Sequence, residues 1–394
     1  MSRPRALVVG ASIAGPATAF WLVRAGYEVT LVEQSAGLRE GGNGVDVRSE
    51  ALAVIERMGL LPAVRARALS TKGLRFVDRN DRERARMPVA KMEAMVRSED
   101  IEIKRGDLAK ILYDATYASV DYLFDTTITS LVSHDTHVDV GLSTGAQQKF
   151  DIVIGADGLH SRVRQLSFGP ERAFVRFKNH YFAFSNTAAA FGLTEWTTFY
   201  NEPGRAASVF RSACGPDHIN FIFRKDIPLA YDFRDVAAQR LLLRDAFSGM
   251  GWHVPALLNA FDQSDDFYFD SLAQVHLPLW SNGRVALVGD AAYCASPASG
   301  AGAMLALTGA YRLAGALAHG VTKAALDAYE AAQRPLVKSK QKALFTGITV
   351  PKSRLGIAFR NMTVTSPALT LLGKIPGPEG RTALEEYEFA SAAR

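Results

Sequence analysis

The sequence predicts an α/β fold: a Rossmann-like unit interrupted by a mainly antiparallel β-sheet and followed by a C-terminal helix. Three observations carry that expectation. A strand, turn, helix, strand pattern opens the chain over residues 5–34. Two further strand–turn–helix patterns, at 151–164 and 283–310, read as parallel strands feeding helices. Between them, residues 171–270 alternate apolar and polar side chains as half-buried strands do.

Composition sets the outer limits. The 394 residues are 48% hydrophobic and 22% charged, enough chain for two or three packed units. A mean hydropathy of +0.01 excludes a multi-span membrane protein. The net charge of +5 and pI of about 9.1 are too mild to point to nucleic acid, and an anionic substrate or cofactor fits them equally well. The densest basic cluster, KSKQK at 338–342, reads as a solvated helix face. The two cysteines, Cys214 and Cys294, form no CxxC spacing, so no zinc or other metal ligand set and no disulfide framework is expected. A reduced, cytoplasmic setting follows as the default. Residues 3–23 resemble a signal peptide, but their glycine spacing accounts for them better. Residues 291–311 carry no charge; their Gly, Ala and Ser content and Pro297 favour a loop and buried helix over a membrane span.

The first element, RALVV at 5–9, is a buried parallel strand by its β-branched apolar run. Gly10, Ser12 and Gly15 then occupy the GxGxxG positions, with Ile13 and Ala14 inside the turn. Gly10 permits the tight turn and Gly15 lets the helix lie close to the strand. The middle position lets the backbone approach a pyrophosphate held on the positive end of the helix, and the Ser12 hydroxyl is small enough to allow this. Gly26 ends the helix. The next strand runs to Glu33 and Gln34. Glu33 would accept hydrogen bonds from a ribose diol and repel a 2′-phosphate, which favours FAD or NAD over NADP here. The structural alternative is a ligand-free βαβ unit.

The second block, DIVIGADGLHSRVR, enters a turn at Asp157-Gly158. The third, GRVALVGDAAYCASPASGAGAMLALTGA, delivers Asp290 from a strand, then Pro297, Gly300, Gly302 and Ala303 ahead of an apolar helix. With these three motifs, and with Arg105 in EIKRGDLAKIL, the chain resembles the flavoprotein aromatic hydroxylases, the single-component FAD monooxygenases related to p-hydroxybenzoate hydroxylase. The resemblance spans residues 5 to about 335. It implies that Asp290 accepts from the ribityl hydroxyls of FAD and that the helix beginning near Gly302 faces the flavin's pyrimidine edge. It places Pro297 beside the ring, Arg105 toward the phosphates or ribityl chain, and Asp157 in the turn that organises FAD and the nicotinamide donor. LREGGNGVDV at 38–47 is similar to a segment of tetracycline-inactivating monooxygenases. By that likeness Arg39 contacts NADPH and Asp46 lies beside the flavin; an ordinary Gly-rich loop is the alternative. The chain departs from the family at Tyr293, Met304 and Thr308-Gly309, so its pyrimidine contacts are expected from backbone groups. Its intact Asp157-Gly158 turn differs from some tetracycline-inactivating members.

The FAD-binding unit is expected to be discontinuous, over 1–72, 99–170 and 271–324, with a substrate-binding unit over 73–98 and 171–270 and a helical segment over 325–394. The region around YLFDTTITSLV and THVDVGLSTG reads as hairpins. The resemblance implies that NADPH or NADH reduces FAD, and that a flavin C4a-hydroperoxide formed with O2 hydroxylates an aromatic or polyketide-like small molecule. The cofactor carries the hard step, so no catalytic constellation is required and none is assigned. Tyr181, Tyr200, His180 and Arg211 in the presumed substrate sheet are read as structural. The clustered phenylalanines (Phe182, Phe184, Phe191, Phe199, Phe210, Phe221, Phe223) suit either an apolar pocket or core packing. A flavin halogenase is disfavoured by scattered tryptophans. A double-bond reductase, a non-catalytic FAD module and a nicotinamide dehydrogenase remain rivals, and oligomeric state is open.

Overall fold

The computed structural model describes residues 3–39, 41–91, 100–187, 191–212, 216–342, 346–366 and 384–389. Residues 92–98 of the expected substrate unit, Cys214 and most of the chain beyond 366 lie outside the described residues. In chain order the strands are β1 (Arg5–Val9), β2 (Glu28–Val32), β3 (Gly44–Val47), β4 (Gly73–Val77), β5 (Glu83–Pro88), β6 (Ile101–Lys104), β7 (Asp121–Leu123), β8 (Ile128–Ser133), β9 (Val138–Leu142) and β10 (Gln147–Phe150). They continue with β11 (Ile152–Gly155), β12 (Val175–Thr187), β13 (Trp196–Glu202), β14 (Arg205–Phe210), β15 (Asp217–Arg224), β16 (Phe267–Val275), β17 (Ser281–Asn282) and β18 (Val285–Leu287). The helices used below are α1 (Ala14–Arg24), α2 (Glu50–Arg57), α3 (Arg105–Asp114), α4 (Arg162–Ser167), α5 (Gly302–Ala316), α6 (Lys323–Lys342) and α7 (Arg354–Thr365).

A six-stranded sheet in the order β17-β18-β11-β1-β2-β7 forms the Rossmann-like layer. Strands β1, β2, β7, β11 and β18 are parallel, and apart from β7 they are buried almost throughout, as their apolar runs require. The strand entering at Asp121 corrects one expectation. Residues 121–123 are not part of a hairpin but pair with β2 in parallel at the sheet's edge. The hairpins follow, as the three-stranded sheet β10-β9-β8. A seven-stranded sheet, β16-β12-β15-β14-β13-β4-β5, is antiparallel except between β13 and β4.

Alternation along β12 and β15 separates the two faces of this sheet. Tyr181, Ala183, Phe221 and Phe223 enter a core with the helices Val236–Phe247 and Val254–Asp262. Phe182, Phe184 and Ile222 point to the opposite side, toward the Rossmann-like layer. The phenylalanine cluster is thus divided, with Phe182 lining a cavity and Phe221 and Phe223 forming core.

The charge-free run resolves into a loop and α5, buried from Ala303 to Gly315. No helix among the described residues is long and apolar enough to cross a membrane. Residues 3–23 form β1 and most of α1, with Gly26 at φ +88° closing the turn. The segment beyond 325 is helical only in part, because residues 384–389 carry no regular secondary structure. Their conformation follows from side chains that take the backbone's hydrogen bonds. Arg57 Nη1 (2.7 Å) and the Tyr311 hydroxyl (2.9 Å) donate to the Glu385 carbonyl, and Arg312 Nε donates to the Glu385 carboxylate at 2.9 Å. Phe389 stacks on Trp21 at 4.9 Å.

Candidate active site

The turn after β1 is built around two glycines that tolerate no side chain. Gly10 has φ +106°, and a Cβ there would meet the Ala156 carbonyl oxygen at 2.7 Å. A Cβ on Gly15 would lie 1.8 Å from the Gly10 oxygen, so the helix can approach the strand only with glycine at this position. The N-cap of α1, Ile13, supplies no side-chain hydrogen bond, which leaves the first amide groups of the helix without a capping side chain. Glu33 folds back on the turn: its carboxylate accepts from Ala11 N–H at 2.8 Å and Ser35 N–H at 3.0 Å. Arg105, the first residue of α3, donates from Nε to the Ser12 hydroxyl at 3.2 Å. Six predicted residues, Gly10, Ser12, Ile13, Gly15 and Glu33 from the opening stretch and Arg105 from a second, therefore meet at one helix terminus.

The third loop reaches the same place. Gly289 takes φ +65°, and its Cα faces Ala14: a Cβ on Gly289 would lie 3.0 Å from the Ala14 Cβ. Asp290 follows at the start of a four-residue helix. Burial pushes its carboxyl up, opposed by the charge of Arg105 and a hydrogen bond from Cys294. The cysteine thiol itself is pushed well up by burial and by Asp290, which leaves it a weak nucleophile. Ser296 then adopts φ +77°, rare for a residue with a side chain, and its buried hydroxyl has no hydrogen-bond partner. Pro297 is exposed, Gly300 is left-handed at φ +59°, and Gly302 opens α5 with Ala303 buried behind it. The cap residue Ala301 offers no side-chain acceptor, so the dipole end of a 15-residue helix faces the cleft.

A two-stranded ribbon, β3 with β6, forms the far wall. Asp46 lies 3.8 Å from Arg48 Nη1, and Arg48 Nη2 donates to the Gly300 carbonyl at 2.7 Å. Sequence reasoning missed Arg48. It lies just past the end of β3, two residues after Asp46. Ser49 beyond it is strained at φ +52°, so strained non-glycine residues flank the cleft on both sides. Burial raises the Asp46 carboxyl against the pull of Arg48. Glu102, directly across the ribbon from Asp46, is pushed up to about 7 by burial and by its neighbour's charge. A cavity of about 310 Å³ opens between this wall, the Pro297–Ser299 loop with Gly300, and Phe182, Ile222 and Leu272 of the seven-stranded sheet.

The cradle fits a dinucleotide with a flat ring. Two helix termini lack capping side chains, two glycines hold the backbone open, and the Asp290 carboxyl stands within the charge of Arg105, just after Gly289 where that residue meets α1. A family model described as an FAD binding domain matches residues 3–183 and 268–342, the stretches that carry all of these groups. A flavin-dependent monooxygenase of Legionella longbeachae is 35% identical over 340 residues, 85% of this chain and 86% of the relative. The chain belongs to the FAD-dependent monooxygenases of the aromatic hydroxylase family. An uncharacterized protein of Mycobacterium tuberculosis is 43% identical over 82% of this chain and 86% of its own length. The crystal structure of the tetracycline destructase Tet(51) superposes with a TM-score of 0.82 at 32% identity, covering 95% of this chain and 98% of that one.

In this monooxygenase the second motif holds the other two together. Asp157 spends both carboxylate oxygens inside its own turn, accepting from the Ser161 hydroxyl (2.5 Å), Arg162 N–H (2.7 Å) and Val163 N–H (3.1 Å). Arg164 is fully buried and donates to the carbonyls of Ala291 at 2.9 Å and Leu159 at 2.5 Å, which ties the second block to the third. Gln34 and Arg39 are exposed, the latter on the loop between β2 and β3. The departures from the family pattern are coupled. Tyr293 points into the core, where Tyr329 donates to its hydroxyl at 3.1 Å, and a Cβ on residue 309 would lie 1.8 Å from that hydroxyl. Tyr293 therefore requires Gly309.

Of the residues read as structural, Tyr181 accepts from Leu229 N–H at 2.7 Å, Tyr200 donates to Glu202 at 2.9 Å and His180 bonds the Lys178 carbonyl at 2.8 Å.

Proposed function

We propose that this monooxygenase hydroxylates an aromatic or polyketide-like small molecule, with NADPH or NADH as electron donor, in the cytoplasm. The observation that carries the reading is the 310 Å³ cavity, walled on one side by the candidate flavin loop and on the other by an apolar sheet. Bound FAD supplies the two-electron activation of O2. The chain's own residues do the rest.

Ser12, Arg105 and the amides from Ile13 to Gly15 hold the pyrophosphate, and Glu33 accepts from the adenosine ribose with Gln34 beside it. Asp290 accepts from the ribityl hydroxyls. With FAD bound, the amides of Gly302 and Ala303 would hold its pyrimidine edge, Pro297 and Gly300 would shape the loop that receives it, and Asp46 would contribute from the β3 side. Asp157 positions the turn, and Arg39, exposed and cationic, receives the phosphates of the donor. Phe182, Ile222 and Leu272 keep water from the reacting face.

The same sheet face carries polar groups farther along. Asn186 and His218 are cross-strand partners beyond Phe182 and Ile222, and Asn220 lies between. Both nitrogens of His218, a side chain only 5% exposed, lack hydrogen-bond partners. Burial and Lys104 hold that imidazole neutral, its pKa lowered to about 4 against the pull of Asp217. An apolar floor ending in uncommitted donors and acceptors suits a ring system with oxygen substituents. The structural likeness to a tetracycline destructase agrees with this class.

A panel of phenols, aromatic acids and polycyclic polyketides, assayed for stimulated NADPH oxidation together with 18O incorporation from 18O2, tests the reading. A member that raises both is the expected result. Donor oxidation with no oxygen transfer across the panel would sink it. Arg39→Ala is expected to raise the KM for NADPH with flavin content unchanged.

A further inference from the structure

We propose that the turn between β8 and β9 is a surface site for a divalent transition-metal ion of the zinc class, held by His134, His137 and Asp139. Cysteine spacing, the signal read from the sequence, does not register such a site. The pattern His-x-x-His-x-Asp acquires its meaning from the hairpin. Ser133 pairs with Val138, and His134 N–H donates to the His137 carbonyl at 2.8 Å, so Asp135 and Thr136 are the centre of a tight turn. The two histidines therefore face each other across the ladder on one side of the sheet. Asp139, two residues on, returns to that same side.

The geometry is close to a coordination shell. The imidazoles stack at 4.7 Å with 23° between their planes. His134 Nε2 lies 2.9 Å from one oxygen of Asp139, and His137 Nε2 lies 3.4 Å from the other. All three donor atoms fall within 4.8 Å of one another. A tetrahedral zinc ion with bonds of about 2.0–2.2 Å needs ligand atoms roughly 3.3 Å apart, so no pair in the set would have to close by more than about 1.5 Å. Thr136 Oγ1 lies 3.1 Å from His137 Nδ1, an outer hydrogen bond of the kind that orients a ligating imidazole and leaves Nε2 for the metal. The hairpin is also braced: Arg284 donates to the Asp135 carbonyl at 2.6 Å and to the Ser133 hydroxyl at 3.0 Å. One competitor is present. Lys149, opposite Asp139 on β10, has Nζ 3.8 Å from its carboxylate, but this side chain is 70% exposed and free to turn into solvent.

Position separates this site from the flavin cleft. Arg284 precedes β18, whereas Gly289 and Asp290 follow it, so the turn lies at the opposite end of the parallel strands from the candidate active site. Occupancy can then be read without disturbing flavin binding.

The test is equilibrium dialysis of the tag-free, FAD-loaded protein against Zn2+, with metal counted per chain. One ion per chain is expected. His134→Ala and His137→Ala should each weaken binding by about a hundredfold or more, since losing even an outer-shell partner costs about 10–100-fold. Lys149→Ala should leave stoichiometry at one and tighten binding. Flavin content and far-UV circular dichroism, unchanged in all three variants, would establish that they fold. No zinc on the wild-type protein, or equal zinc on wild type and the histidine variants, overturns the proposal.

Discussion

Gly309 and Tyr293 show how far a single position can be explained by its partner. The hydroxyl of Tyr293 occupies the volume that a side chain at 309 would need. Gly309→Ala is expected to destabilise the protein by about 1–3 kcal/mol, the usual cost of overpacking a core. Adding Tyr293→Phe should recover part of that loss, because the ring carbon beneath the hydroxyl stands at 3.1 Å rather than 1.8 Å. Urea unfolding of the two variants measures both effects; a neutral Gly309→Ala would refute the packing. Asp290 is a residue-scale case of a different kind, since its carboxylate is half-buried beside Arg105. Asp290→Ala should weaken FAD retention by about 10–100-fold, the worth of one or two charged hydrogen bonds. Flavin absorbance after gel filtration reports it. The sequence pointed to Asp290 through its motif, and to Gly10 and Gly15 through backbone sterics. It gave no sign that Tyr293 needs Gly309, since the two are neighbours only once α5 is packed.

At the scale of elements, the β3–β6 ribbon carries most of what local reasoning overlooked. Arg105 and Asp46 were named as candidates because each lies in a short local segment that resembles the family's. Arg48 was not, because its partner is the carbonyl of Gly300, which only folding brings near. Glu102 was passed over for the same reason: its cross-strand register with Asp46 cannot be read from either strand alone. That register has a measurable consequence. A carboxyl whose folded pKa rises from 4.5 to about 7 disfavours its charged form in the native state. Stability is thus greatest below the unfolded value and falls as pH rises through about 7. Glu102→Gln should therefore raise the stability of the flavin-free protein at pH 8 by on the order of 2 kcal/mol and leave it little changed at pH 4.5. Thermal melts at the two pH values test this, and an equal shift at both would contradict it.

For the whole molecule, His160 joins the two large sheets. It follows β11 in the Rossmann-like layer, and its Nε2 lies 3.1 Å from Asp270 on β16 while Nδ1 lies 3.1 Å from Glu171. Its ring stacks on Phe233 at 4.1 Å. Burial works against the charged imidazole, but hydrogen bonds and charge from Asp270 and Glu171 outweigh it and raise the pKa to about 9. The folded value lies above the unfolded one of 6.5, so this contribution is complete below about pH 6.5 and is lost as pH rises through about 9. Up to about 3 kcal/mol is at stake. His160→Gln should flatten the decline in stability between pH 7 and 9.5; an unchanged pH profile would refute the cross-link. The amino-acid sequence by itself determined the strand–turn–helix blocks, their glycines and the alternation of the substrate-side strands, because these follow from backbone sterics and side-chain period over a few residues. Only the tertiary structure decided that residues 121–123 join the parallel sheet, that residues 384–389 are held without helix by Arg57 and Arg312, and that Arg164 bolts the second motif to the third. Those outcomes rest on hydrogen bonds and packing between residues far apart in the chain, whose energies exist only after the fold has closed.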